Sequence, residues 1–247
     1  MELHNVDILL PALIAGVLVL STHVPLGRLV LERGIVFIDL AIAQVAGLGV
    51  VAADFAGFEP TGWTVQVSAA SAALAAAAFL VWTERRVPAV QEAIIGVVFV
   101  VAASAEILLL NFNPHGAEQL KDLLVGQILW VTPADLIPVA VLYAGLLAVI
   151  FLAGIRERRV VFYVVFALAV TASVQLVGIY LVFASLILPA LAARRLSIAY
   201  AVGFAGYVVG LAASLVLDLP TGAAVVCTLA QVTALFVAAR AAVRPAR

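Results

Sequence analysis

Charge is scarce in this chain. Only 11% of its 247 residues are Lys, Arg, Asp or Glu, whereas 66% are hydrophobic, and mean hydropathy is +1.25. A soluble domain carries roughly a quarter charged residues, so that class is excluded. Cysteine is scarcer still. Cys227 stands alone within an apolar run, which rules out an intrachain disulfide and half of a CxxC metal site. The three histidines, His4, His23 and His115, never fall at HxxxH or HxH spacing, so no single segment offers a closed zinc site. The chain has no GxxxxGK[ST] loop, no HExxH and no nucleophile with a base beside it, so the sequence points away from an enzyme. A net charge of −1 gives nucleic acid nothing to hold. The start, MELHNVDILL, lacks the basic region of a cleavable signal peptide, and the first apolar segment is expected to be retained. No stretch is long and polar enough for a fused ATPase or binding domain, so one domain, 1–247, is expected.

Long apolar runs fill the space between the scarce charges. They cover about 8–24, 35–53, 63–82, 93–110, 135–153, 160–177, 179–192, 199–217 and 222–239. A spanning helix needs roughly 20 such residues, so most of these predict transmembrane helices. A transmembrane barrel would alternate polarity over strands of about ten residues, and Leu136–Leu152 does not. The fold class is therefore all-α, a polytopic helical membrane protein. A shorter piece, Leu123–Val131, reads as a partial insertion or a surface helix.

Orientation follows the arginines, which favour the cytoplasmic side. Arg28 and Arg33 flank the first connection, Asp54 and Glu59 the second, Arg85 and Arg86 the third. Connection 111–122 is mostly acidic, and Arg156, Arg158 and Arg159 occupy the fifth. Arg194 and Arg195 then follow, Asp218 fills the next turn, and Arg240, Arg244 and Arg247 close the chain. Two basic loops in succession fit one side only if 160–193 crosses twice. Gly178 and Pro189 interrupt that stretch, and broken helix in a bilayer belongs where protein or a cavity covers it. The expectation is about nine crossings, with the N-terminus outside, the C-terminus cytoplasmic and a reversal near Gly178.

Five pieces, in order, resemble one family: GRLVLERGIVFIDLAIAQVAGLG (27–49), QEAIIGVVF (91–99), LLVGQILWVTPADL (123–136), QLVGIYLVFASLILPALAARRLS (175–197) and DLPTGAAVV (218–226). The chain is similar to the membrane permease subunits of ABC importers for zinc, manganese and related divalent metals. The resemblance implies a type II-like importer fold in the bacterial inner membrane. It further implies a homodimer around a central path, driven by cytosolic ATPase subunits and fed by an extracytoplasmic metal-binding protein. The metal would be cargo, with no cofactor bound permanently.

The family's path motif places Asp and His four residues apart, in a phrase like F-I-G-D-A-L-S-H. Laid over Phe37 and Ile38, it puts Leu40 at the aspartate position and Gln44 at the histidine position. Asp39 lies one residue early and points about 140° away from Gln44 around a helix. Asp39 reads either as a displaced path carboxylate or as a partner of Arg33 or of the backbone. Glu106, deep in VVAASAEILLL, is a functional candidate because buried carboxylates in a bilayer are costly, or else bonds Ser104 or a neighbouring helix. His115, with Glu118 and Asp122 nearby, is placed to meet an arriving metal. His4 beside Asp7, and His23 beside Pro25, are weaker candidates.

The family's coupling loop corresponds by order to Gly154–Arg159, where its short docking helix is missing. Arg156, Glu157, Arg158 and Arg159 remain as candidate ATPase contacts, with Arg194 and Arg195; TERRVPAVQE (83–92) and ALAARRLSIAY (190–200) are further candidate segments. The glycines at 203, 206 and 210 suit either a dimer face or packing within one subunit. Two competing readings stay open: a transport-inactive scaffold or regulatory partner of the same fold, and a permease for a metal chelate or small cofactor.

Overall fold

The computed structural model describes residues 2–58, 63–152 and 154–243, with side chains from 9 to 242 among them. His4, Asp7, Glu59, Arg244 and Arg247 have no described side chain. Among the described residues ten α-helices run in order: α1 Glu2–Arg33, α2 Ile38–Phe55, α3 Trp63–Arg86, α4 Gln91–Leu110, α5 Gly116–Val125, α6 Pro133–Leu152, α7 Arg159–Val177, α8 Ile179–Ala192, α9 Leu196–Leu217 and α10 Thr221–Val243. Eight are long and apolar enough to cross a membrane, and α8 is a shorter apolar helix. The segment around Leu123–Val131 is the end of α5 followed by a 3-10 turn at Ile128–Trp130.

The expected reversal lies at Gly178. There φ is 80° and ψ is 162°, a region almost reserved for glycine. Gly126, with φ 72° and ψ 171°, lies directly against it; a Cβ on Gly178 would come within 2.7 Å of the Gly126 Cα. Two bare backbones thus meet where α7 ends and α8 begins. From that contact α8 runs back to Gly27 of α1, whose missing Cβ makes room for Leu186 and Ala190.

The two ends of the bundle differ in charge. At one end, Arg156 pairs with Glu32 at 2.7 Å and Arg159 with Glu84 at 3.6 Å. Arg33 donates to the Arg156 carbonyl at 3.0 Å and lies 4.4 Å above the Phe162 ring centroid. At the other end, Asn113 Nδ2 donates to Asp54 Oδ2 at 3.2 Å. There Asp135 accepts from the Thr132 N–H at 2.9 Å and its hydroxyl at 2.6 Å.

Small residues make the helix contacts close. Gly203 packs on Leu20 and Pro189, Gly206 on Leu229, and Gly210 on Val225 and Thr228. These glycines serve packing within the chain. Pro25 lies inside α1 and cannot donate to the Ser21 carbonyl; the Tyr200 hydroxyl of α9 does so instead, at 2.9 Å. A polar knot joins α1, α6 and α7. The Tyr143 hydroxyl meets Ser173 Oγ at 2.5 Å, Ser173 Oγ meets His23 Nε2 at 3.1 Å, and His23 Nδ1 lies 2.9 Å from the Val19 carbonyl. A carbonyl only accepts, so Nδ1 carries the proton of this bond.

Gly178→Ala should lower the thermal unfolding midpoint in detergent by about 3 °C or more. Gly145→Ala, where no atom lies within 4 Å of the added Cβ, should leave it unchanged or raise it. Equal midpoints for wild type and Gly178→Ala would refute the pinned reversal.

Candidate functional site

A cavity of about 500 Å³ lies between α2, α4, α5, α8 and α10, lined by Leu40, Gln44, Phe99, Ile107 and Phe183 among others. Leu40 and Gln44 are one turn apart and so share a face of α2. These are the two positions that the resemblance assigns to an aspartate and a histidine. The cavity wall is almost wholly apolar, with the Gln44 amide as its buried polar group.

Glu106 of α4 stands behind Gln44. Gln44 Nε2 donates to Glu106 Oε2, and Glu106 is fully buried. Its other oxygen, Oε1, has no hydrogen-bond partner and lies where a side chain on Gly47 would stand, 2.7 Å from the ideal Cβ. Gly47 is three residues from Gln44, on the same helical face. The sequence signal for this arrangement is therefore a Gln-x-x-Gly pair on one helix facing a single Glu on another. This enclosed oxygen can accept a proton donor, and as a hard oxygen it is the donor type that suits a hard cation, although Glu106 lines neither the 500 Å³ cavity nor the vestibule.

Asp39 is 1% exposed, and neither carboxylate oxygen has a hydrogen-bond partner. It does not line the cavity, and Arg33 is engaged elsewhere. Asp39 sits in the first turn of α2, where the helix dipole favours a negative charge. His23 is held on both ring nitrogens within the polar knot, so its place is structural. Spacing along the chain gave no hint of that knot, because its members lie 30 and 150 residues apart.

His115 sits at the acidic end, in a vestibule of about 750 Å³ that also holds Asp54, Glu118, Asp122, Asp135 and Gln175. It precedes α5, and its N–H donates to Asn113 Oδ1 at 2.9 Å. Carboxylates gathered in a recess raise the local concentration of cations. Among the described residues, no group of three or more His, Cys, Asp or Glu could hold a metal ion. Gln44 and Glu106 meet each other; Asp39 and His115 stand apart from them.

At the arginine end, Arg156 and Arg159 are bonded back onto α1 and α3. With Leu29, Glu32, Glu84 and Glu157 they border a mixed-charge recess of about 410 Å³. Glu157, Arg158, Arg194 and Arg195 are exposed.

One solved structure, PsaBC from Streptococcus pneumoniae in complex with Fab, matches with a TM-score of 0.72. Sequence identity is 22%, over 96% of this chain and 95% of the matched one. At that identity the likeness establishes a shared fold. The ABC 3 transport family matches residues 5–157 and 153–241, two segments that meet at the Gly154–Arg159 loop. Taken together these matches run through nearly every helix, and the chain belongs to the ABC 3 transport family.

Proposed function

We propose that this permease carries a divalent metal, zinc or manganese, through a path formed by two copies of the chain. The Gln44–Glu106 pair is the observation that carries this reading. It places a carboxylate at membrane depth behind the wall of an apolar cavity, with one oxygen free. Conduction needs sites weak enough to release their ion, and a lone carboxylate with an amide is such a site; a second copy would double the donor set. The acidic vestibule with His115 is the entry, facing an extracytoplasmic binding protein. The arginine end is cytoplasmic and meets the ATPase through Arg158, Arg194 and Arg195, with the Arg156–Arg159 loop beside them. This puts the N-terminus outside and the C-terminus inside a bacterial inner membrane.

One observation favours a second reading. Leu40, not a ligand, faces the cavity one turn from Gln44, which suits cargo that arrives as a metal chelate or small cofactor.

Purified protein with its ATPase, in liposomes, should take up zinc or manganese on ATP addition. Glu106→Ala should slow uptake about tenfold or more, the loss expected when a charged ligand is removed, and Asp39→Ala should slow it less. Absent metal uptake alongside ATP-driven uptake of a chelate would select the second reading. No uptake of either would leave a scaffold role.

Orientation has its own measurement. In a Cys227→Ser background, Asp218→Cys should react with an impermeant thiol reagent added outside intact cells, and Arg195→Cys should not. The reverse pattern would invert the assignment.

A further inference from the structure

α6 and α9 each pack on α1, and a crevice of about 490 Å³ stays open between them. Leu20 of α1, 3% exposed, is its floor. Val17, Leu147, Phe151 and Phe204 are its apolar walls. Its two hydroxyls are engaged within the chain. Ser21 Oγ donates to the Leu18 carbonyl at 2.6 Å, and Tyr200 donates to the Ser21 carbonyl at 2.9 Å. What the lining offers an occupant is hydrocarbon. This face is also distinct from the Gln44 cavity, which lies between α2, α4, α5, α8 and α10 and shares no helix with it.

The crevice has a charged end. Phe151 also lines a recess of about 190 Å³, next along α1 and α6 toward the arginines. The charged residues of that recess are Arg28, Glu32 and Arg156. Glu32 Oε2 holds Arg156 at 2.7 Å, whereas Glu32 Oε1 is 3.9 Å from Arg28. Two guanidiniums thus share one carboxylate, and one positive charge is left in excess. The Arg28 and Arg156 side chains are 32% and 71% exposed, so both can meet a ligand from outside the bundle.

The length of the groove fits one leaflet. From Arg28 to Val17 α1 rises about 16 Å, against about 15 Å for half of the hydrocarbon layer. Cations at one end of an apolar crevice complement a molecule with an anionic head and a hydrocarbon tail. Basic recesses between transmembrane helices hold anionic headgroups, and a guanidinium can take two phosphate oxygens at once. Any lipid tail can fill the crevice; the two arginines select the head.

We propose that α1, α6 and α9 hold one anionic phospholipid, with its phosphate between Arg28 and Arg156 and one acyl chain along the crevice to Val17. Bound there, the lipid fastens the Gly154–Arg159 loop to α1 from outside, as Glu32 does from within.

The test is native mass spectrometry of the full chain, purified in mild detergent from native membranes with any subunits that accompany it. The sample is equilibrated with equal amounts of phosphatidylglycerol and phosphatidylcholine, and the retained lipids are counted. Wild type should retain phosphatidylglycerol about fivefold over phosphatidylcholine, the size of one unbalanced basic residue near an anionic head. Arg28→Gln/Arg156→Gln should abolish the preference, and Arg28→Lys/Arg156→Lys should keep most of it. Glu32→Gln breaks the same ion pair as Arg156→Gln but should strengthen the preference, which separates headgroup binding from damage to the fold. Ala201→Phe, on the crevice wall, should lower retention of both lipids. Arg85→Gln/Arg86→Gln, exposed elsewhere at this end, should behave as wild type, and thermal midpoints should show each variant folded. Equal retention of the two lipids by wild type, or a preference that survives Arg28→Gln/Arg156→Gln, would overturn the headgroup assignment. Unchanged retention in Ala201→Phe, or displacement of the lipid by inorganic phosphate but not by chloride of equal ionic strength, would make the site one for a free anion and overturn the lipid assignment.

Discussion

A bilayer offers no water to an unpaired backbone group, and the rest of this structure depends on that constraint. Two departures from regular helix are matched by something close at hand. Pro25 frees the Ser21 carbonyl, and Tyr200 reaches across from α9 to bond it. The turn at Gly178 keeps its own N–H on the Val174 carbonyl at 2.8 Å, and its carbonyl accepts from Val182 at 3.1 Å. The chain can therefore reverse direction at Gly178 and lay α8 back through the bundle, which brings Phe183 and Leu188 into the cavity wall.

Within that frame the polar side chains divide into two kinds. His23, Ser173 and Tyr143 satisfy one another and fasten three helices, leaving no ring nitrogen for a ligand. Glu106 is only half satisfied: Gln44 occupies one oxygen and Gly47 leaves space at the other. A fully bonded polar network specifies structure, whereas a buried polar atom without a partner calls for a functional explanation. By the same measure Asp39, with neither oxygen bonded, stands with Glu106, although it lies away from the cavity wall.

Much of the fold was legible in the sequence. Apolar length placed the spans, and the run of arginines required a reversal that Gly178 provides. The helix ends were less legible: α1 extends to Arg33 through Pro25, past the point where apolar length suggested a stop. The candidate site was legible only in part. Gln44 and Glu106 were singled out separately, but their contact joins residues 62 apart and depends on how α2 and α4 pair. Asp39 looked equivalent to them by residue type. Its place in the first turn of α2, away from the cavity, follows from helical phase, since one residue of offset turns a side chain by about 100°.

The short helix α8 has a consequence for distance. Its 14 residues rise about 21 Å, against about 30 Å for the hydrocarbon layer. One wall of the cavity is built on this helix, and its far end gives way to the exposed Arg194 and Arg195. α8 is therefore too short to span that layer alone: beside it the helical wall covers about two-thirds of the hydrocarbon thickness, and the arginines begin where the helix stops.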